Sequence, residues 1–384
     1  MHELARANIY PVKETLGNEE AIRRVIRHID LHYHEELKRD VLAQMAGFSP
    51  EYFSALFKSI SGCSLTDYVT ALRIRHIKER LLFAGTRLGD VAREVGYKDE
   101  YYVSRRFKHE VGVSPTQYVQ SPKRIVSLNP HLTMHLLALG VVPAATASYP
   151  WGFGEYETML QAAGCECRDW TIDYTQPELA ELRPELIIGI DNLENARLRD
   201  CRQLAPTLVV PWYISDWKGH FRMLAQVCRR TEREREWLAR FQDQISALRR
   251  QITASDLARQ TATIVNIRDE AAFLYLNRGM GSQVVYDELK LAPPPEVRAA
   301  ITNQASVPIN LGDILPRYEA DHMFIIVPPS PAAQARAEDL LDSELWQSYL
   351  ARGGRVHRAD MRRWHGYDPL SIQWQMTDIM KWFS

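Results

Sequence analysis

Cysteine is scarce and odd in number, with five residues at 63, 165, 167, 201 and 228 in a chain of 384. A disulfide framework uses an even set, so these read as free thiols of a reducing compartment. Cys165 and Cys167, one residue apart, match no zinc-ligand spacing. Long apolar runs are missing too, and nothing approaches the roughly 20 residues that span a bilayer. The opening Met-His-Glu-Leu-Ala-Arg has an early acid and no apolar stretch, so no secretory signal is expected. The chain has no Walker loop, no G-x-G-x-x-G opening a helix and no nucleophile motif. Enzymatic chemistry is therefore not expected.

An excess of one charge sign is also absent, since the formal net charge is −1. The distribution is uneven. Residues 1–124 hold 20 Lys/Arg against 16 Asp/Glu, and residues 125–384 hold 27 against 32. A basic first part permits contact with nucleic acid, and an acidic second part suits another task. The length exceeds one typical core, so two or three domains are expected. Hydrophobic residues at 46% and charged residues at 25% are ordinary for a soluble globular protein.

Up to about residue 120 the pattern is helical. Ala21, Ile22, Val25, Ile26 and Ile29 recur at helical spacing, and short helices follow, broken at Gly47, Gly62, Gly85, Gly96 and Gly112. Two segments share one plan. In residues 40–58 a short helix ends at Gly47, and Ser49-Pro50 opens a second, with Ser as cap and Pro at the first helical position. Residues 90–108 repeat it, with Val103 and Phe107 standing where Phe53 and Phe57 stand in the first. These are i,i+4 pairs that face a core. Between them, Leu65 to Phe83 predicts one helix of roughly 28 Å. Successive major grooves on one DNA face lie about 34 Å apart, so such a linker suits two recognition helices in adjacent grooves.

Arg73-Ile74-Arg75, Val95-Gly96-Tyr97, Ser104-Arg105-Arg106-Phe107-Lys108 and Gly112-Val113-Ser114-Pro115 together resemble the AraC/XylS signature over residues 19–119. The resemblance implies duplex DNA as partner, with RNA polymerase beside it. The recognition faces would be Glu51, Tyr52, Ser54 and Lys58 in the first unit, and Glu100, Tyr101, Ser104, Arg105 and Lys108 in the second. Ala55 stands where the family often has Arg, which weakens base reading by the first unit. Arg reads guanine bidentately, while Lys more often meets phosphate.

After Ser121-Pro122 the texture changes. Arg124–Leu128 reads as a strand, with a helix from about Leu132 to Leu139, and further strand-like runs are Leu186–Ile190, Leu208–Val210, Ala262–Ile267 and Met323–Val327. Helical segments separate them, which predicts α/β structure with largely parallel sheets. From Gly219 to about Ser255 runs a long amphipathic helical stretch. Arg124–Pro130, Pro177–Gly189, Leu204–Thr207, Val285–Leu289, Leu345-Trp346 and Gly354–His357 are similar, in order, to iron-siderophore and cobalamin substrate-binding proteins. That family implies two α/β lobes joined by a long helix, with the ligand between them.

The expected fold is therefore multidomain. An all-α double helix-turn-helix domain (19–120) follows a tail (1–18) and precedes a bilobal α/β ligand-sensing domain (121–384) with a long connecting helix. Ligands in such lobes bind beyond the carboxyl ends of the strands and at lobe interfaces. The candidate contacts are Asn129, His131, Tyr149, Trp151, Trp212, Tyr213, Trp217, Arg268, Arg278, Arg363, Trp364 and Tyr367. Arginines suit an anionic ferric complex, and aromatics suit its rings. The loop Asp191–Asn192 is expected at the same edge. His131, His135, His220, His322, His357 and His365 show no tight spacing, so no metal site is expected. The resemblance implies a cytoplasmic regulator that activates siderophore-uptake genes on binding a ferric siderophore, with no covalent cofactor and no membrane partner. The rivals are a siderophore- or tetrapyrrole-processing enzyme, and a regulator whose second domain only oligomerises.

Overall fold

The computed structural model describes residues 12–83, 86–169, 174–191, 194–253, 259–302 and 304–383. Gly85, Asn192 and Ser255 lie outside them. The chain divides into two compact units, Met1–Pro122 and Lys123–Ser384.

The first unit is all helix: α1 Val12–His32, α2 Arg39–Ala46, α3 Pro50–Ser61, α4 Leu65–Phe83, α5 Leu88–Glu94, α6 Glu100–Val111 and α7 Pro115–Gln120. Helix α1 begins inside the stretch expected as a tail. Local chemistry sets the boundaries. Ser49 Oγ accepts from the Tyr52 amide at 3.3 Å and Asp99 from the Tyr101 amide at 2.8 Å, which caps α3 and α6. Ser114 and Gln117 form a capping box on α7. Gly47 ends α2 at φ 79°.

Two small cores result. Phe53 and Phe57 anchor one with Ile22, Val25, Ile29 and Leu42. Val103 and Phe107 anchor the other with Ile77, Val91 and Tyr118. Helix α4 serves both, giving Leu72 to the first and Ile74, Ile77, Leu81 and Leu82 to the second. It therefore lacks a single apolar stripe.

The second unit runs β1 Ile125–Ser127, α8 Pro130–Ala138, β2 Ala145–Ala147, α9 Glu157–Ala162, β3 Glu166–Arg168, α10 Gln176–Glu181, β4 Leu186–Ile190, α11 Asn195–Leu204 and β5 Thr207–Val210. Then come α12 Trp217–Val227 and α13 Thr231–Thr253. The rest is β6 Ala262–Ile267, β7 Ala272–Tyr275, α14 Pro295–Ala300, β8 Ser306–Ile309, α15 Ile314–Tyr318, β9 His322–Val327, α16 Pro331–Leu341, α17 Glu344–Ala351, β10 Arg355–Asp360, α18 Met361–Trp364 and α19 Pro369–Phe383.

Two five-stranded sheets form, ordered β3-β2-β1-β4-β5 and β10-β9-β6-β7-β8. The first is parallel throughout. In the second, β10, β9 and β6 are parallel, whereas β7 and β8 return antiparallel. Strands β6 and β9 are buried along their whole length, as expected where helices cover both faces.

The helical stretch between the lobes is two helices rather than one. It breaks at Cys228–Arg230, where Arg229 takes a left-handed φ of 54°. The 23-residue α13, about 34 Å long, carries the chain from one sheet to the other. Glu288 ties three parts together. Its carboxylate meets Lys218 of α12 at 2.8 Å and Arg249 of α13 at 3.2 Å, and it lies on a π-helical turn, Gln283–Glu288, of the second lobe.

Candidate DNA-reading face and ligand cleft

In the first unit, α3 turns Phe53 and Phe57 inward and leaves Glu51, Tyr52, Ala55 and Lys58 exposed, with Ser54 half-buried. Two of these groups are already engaged. Ser54 Oγ donates to the Pro50 carbonyl at 2.8 Å, and Tyr52 Oη accepts from Asn18 at 3.2 Å. Helix α6 presents a freer face. Tyr101 is 82% exposed, and Arg105 and Lys108 are exposed, with no carboxylate partner among the described residues. Their neighbour Arg106 is instead paired with Glu110 at 3.2 Å. Ser104 is half-buried, and Glu100 leans back over Gly89 of α5.

The turn before α6 is fixed by contact with the segment after α1 and with α4. A Cβ on Gly96, at φ 86°, would stand 2.3 Å from the His34 carbonyl oxygen. Arg73 of α4 donates to the carbonyls of Tyr33 at 2.7 Å and Glu35 at 2.8 Å, and lies 5.0 Å from the Tyr97 ring centroid.

In the second unit the loops after β1, β2 and β5 face those after β6, β7 and β10. His131 opens α8, and its Nδ1 lies 2.9 Å from Tyr149 Oη and 3.8 Å from the buried Asp368 carboxylate. Trp151 stacks on Tyr149 at 5.6 Å. Trp212 lies 5.2 Å from His131, stacks on His220 at 4.9 Å and meets Tyr367 edge-on at 5.9 Å. Asn129 caps α8, accepting from the His131 and Leu132 amides. Tyr213 stands at the lip, 74% exposed.

Arg268 and Arg278 bring positive charge without a carboxylate partner among the described residues. Arg268 donates to Asn266 at 2.7 Å and to Tyr275 Oη at 3.2 Å, beneath the Phe273 ring. Arg278 bridges the lobes. It donates to the Trp212 carbonyl and, at 3.2 Å, to that of Ser215, with Tyr367 4.6 Å away. Arg363 is different, because Asp378 takes its Nη1 at 2.8 Å.

Two expected contacts belong to the core instead. Trp217 is 3% exposed and packs on Trp237 and Phe241, because the first turn of α12 faces α13. Trp364 is fully buried between Phe324 and Trp382 and donates to Asp378 at 3.0 Å. Helical spacing turns it inward with Met361, and the following turn faces the cleft.

On that turn, His365 falls in the loop Arg362–Tyr367 expected at this edge, although the sequence suggests it only as a metal ligand, and Asp368 is missing from the sequence-based set. His365 sits 4.9 Å from Trp151 and 5.1 Å from His131, and its buried Nδ1 has no partner among the described residues. Burial, then His131 and Arg268, hold it well below the ordinary histidine value. Burial also lowers His135, and lowers His220 to about 4. Burial, then Asp368, push Tyr149 well above the usual phenol range. His220, His365 and Tyr149 thus present neutral rings. Beside Tyr149, Trp151 and His365 the packing leaves a cavity of about 10 Å3, room for about one water. Among the described residues no group of three or more His, Cys, Asp or Glu is arranged to hold a metal ion. All five cysteines are free, and burial raises the Cys165 thiol to about 12, away from reactive thiolate.

The architecture defines a class of protein: a paired helix-turn-helix unit joined to a two-lobed binding unit. Family models agree on both halves. A helix-turn-helix domain of AraC type matches residues 42–121, and a periplasmic binding protein model matches residues 125–355. The chain belongs to the periplasmic binding protein family and carries an AraC-type domain ahead of it. The HTH-type transcriptional activator Btr of Bacillus subtilis is 25% identical over 360 residues, 90% of this chain. The match spans 65% of Btr's own length. The iron(3+)-hydroxamate-binding protein YxeB of the same organism is 25% identical over 263 residues, covering 67% of this chain and 79% of YxeB.

Solved structures share the fold. Staphylococcus aureus SirA superposes with a TM-score of 0.59 at 17% identity, covering 67% of this chain and 98% of SirA. FhuD2 from Staphylococcus aureus with bound ferrioxamine B gives 0.58 at 17%, covering 68% and 98%. The relatives are regulators and binding proteins, not enzymes. No helix among the described residues is long and apolar enough to cross a membrane.

Proposed function

We propose that the chain is a ligand-responsive transcription regulator. It grips duplex DNA through residues 19–120 and binds an anionic ferric siderophore between the lobes of residues 121–384. Ligand binding switches on siderophore-uptake genes in the cytoplasm, with RNA polymerase as the downstream partner. The observation that carries the reading is the pair Arg268 and Arg278. Both guanidiniums line an aromatic cleft, and neither has a carboxylate counter-ion among the described residues. Such charge is costly unless an anion meets it. Tyr149, Trp151, Trp212 and Tyr367 supply faces for a ligand's rings or methylenes. The company of Btr and YxeB supports the same assignment.

A siderophore is far larger than the present cavity, so binding requires the lobes to part and Arg278 to exchange its carbonyl partners for the ligand. The test is a thermal-shift and calorimetric screen with ferrioxamine B, a ferric tricatecholate, haem and cobalamin. A ferric siderophore should stabilise the native chain, and Arg278→Ala should weaken it. Stabilisation by haem or cobalamin alone, or by none of the four, would sink the reading.

A further inference from the structure

We propose that a cavity behind the cleft is a second small-molecule site, shaped for a single-ring aromatic carboxylate. The cavity measures about 290 Å3 and lies between the end of α8, the middle of α13 and the first turn of α19. Trp237 and Phe241, one turn apart on α13, form its floor, with nearly parallel rings 5.5 Å apart. Arg233 and Arg240 flank them on the same face of the helix, seven residues apart. Gln244 and Gln373 close the sides with amide groups.

The charge balance selects the ligand. Among the described residues, two arginines line this cavity and no acid does. Arg233 is held in place, since its Nε donates to the Ala138 carbonyl at 3.2 Å, and it keeps further N–H groups for a ligand. Arg240 is exposed and makes no ion pair among the described residues. Guanidinium forks match the plane of a carboxylate. The aromatic floor suits a ring lying over it. The volume falls at the small end of ligand pockets, which limits the occupant to one ring with its acid.

The site is separate from the cleft yet touches the same helices. The first turn of α8 carries His131, and Asp368 caps α19, so an occupant braces the two helices that reach the cleft.

The experiment is calorimetric titration of the intact chain with benzoate, and with benzamide as the neutral isostere. Benzoate should bind, and benzamide at least about tenfold more weakly, as expected for loss of a charge-assisted hydrogen bond. Arg240→Ala should weaken benzoate by a similar factor, and Gln244→Ala by less. Arg278→Ala in the cleft should leave it unchanged, which separates this site from the siderophore reading. Arg240 is exposed, so an unaltered unfolding temperature will verify that variant's fold. Three results each overturn the proposal: no benzoate heat at millimolar concentration, equal binding of benzamide, or benzoate affinity indifferent to Arg240→Ala. Loss of benzoate binding in Arg278→Ala alone would locate it in the cleft, and overturns the proposal equally.

Discussion

Single residues decide whether the second helix-turn-helix unit forms and what it reads. Gly96 combines a positive φ with a close approach to the His34 carbonyl. Left-handed backbone alone costs a side chain about 1–3 kcal/mol, and the clash adds to it. Gly96→Ala should therefore destabilise the first unit by about 2 kcal/mol or more. All nine tryptophans lie after residue 150, so their fluorescence reports only the second unit. Urea unfolding followed by circular dichroism should shift for Gly96→Ala while the tryptophan transition stays put. A coincident shift of both would mean that the units unfold together and that the residue's effect is not local. On α6, Arg105 and Lys108 are both exposed but differ in chemistry. Arg105→Ala should cost about 1–3 kcal/mol on the preferred operator and relax choice at one base pair. Lys108→Ala should weaken all sequences alike. Gel-shift competition with single-base variants distinguishes them, and unchanged preference in Arg105→Ala would remove its reading role.

At the scale of elements, α4 is the joint between the two reading units. Arg73 holds the segment just after α1 through the Tyr33 and Glu35 carbonyls and covers Tyr97 in the turn of the second unit. Hydrogen bonds to a charged group contribute about 1.5–3 kcal/mol each. Arg73→Ala should loosen the spacing of α3 and α6. Footprinting of the native chain should give two protected major-groove segments about one turn apart, and Arg73→Ala should lose one of them first. Protection of both at equal strength would mean that packing alone sets the spacing. The limits of α4 were legible in the sequence because flanking Ser and Gly mark them, and strands β4 and β6 stood out as apolar runs. Strands β2 and β3 were not legible, being three residues each with little apolar signal. The site was half legible. Loop position brought His131, Tyr149, Trp151, Trp212 and Arg278 to the candidate cleft. It could not tell Trp364 from His365, because a single turn of α18 sends one into the core and its neighbour into the cleft. Nor could spacing reveal that His131 and His365 meet, since they follow different strands.

For the molecule as a whole, buried neutral histidines make stability depend on pH. Burial lowers His135, His220, His322, His357 and His365, with His220 and His322 at about 4 and His357 at about 3. An unfolded histidine titrates near 6.5. Above that pH both states are neutral and stability is complete. As pH falls below it, the unfolded chain takes up protons that the folded chain refuses. Stability is then lost at up to about 1.4 kcal/mol per pH unit for each histidine, until the folded values are reached. Tryptophan-monitored urea midpoints should fall from pH 7.5 to pH 5, and His220→Gln should flatten that fall. A midpoint independent of pH would show the rings protonated in the fold. The proposed function adds a second linkage, between ligand and DNA. A ligand alters operator affinity only by its preference for one conformation of the protein. A tenfold change needs about 1.4 kcal/mol of coupling, within the usual range of roughly 1–3 kcal/mol. Reciprocity then requires operator DNA to change siderophore affinity by the same factor. If ligand entry parts the lobes, the release of Arg278 from Trp212 and Ser215 belongs to that conformational change. Arg278→Ala should then reduce the coupling as well as the affinity. Siderophore titrations with and without operator, on native and Arg278→Ala chains, measure both quantities. Equal siderophore affinities in the native chain, with transcription still responding to ligand, would rule out control through operator affinity and leave recruitment of polymerase as the route.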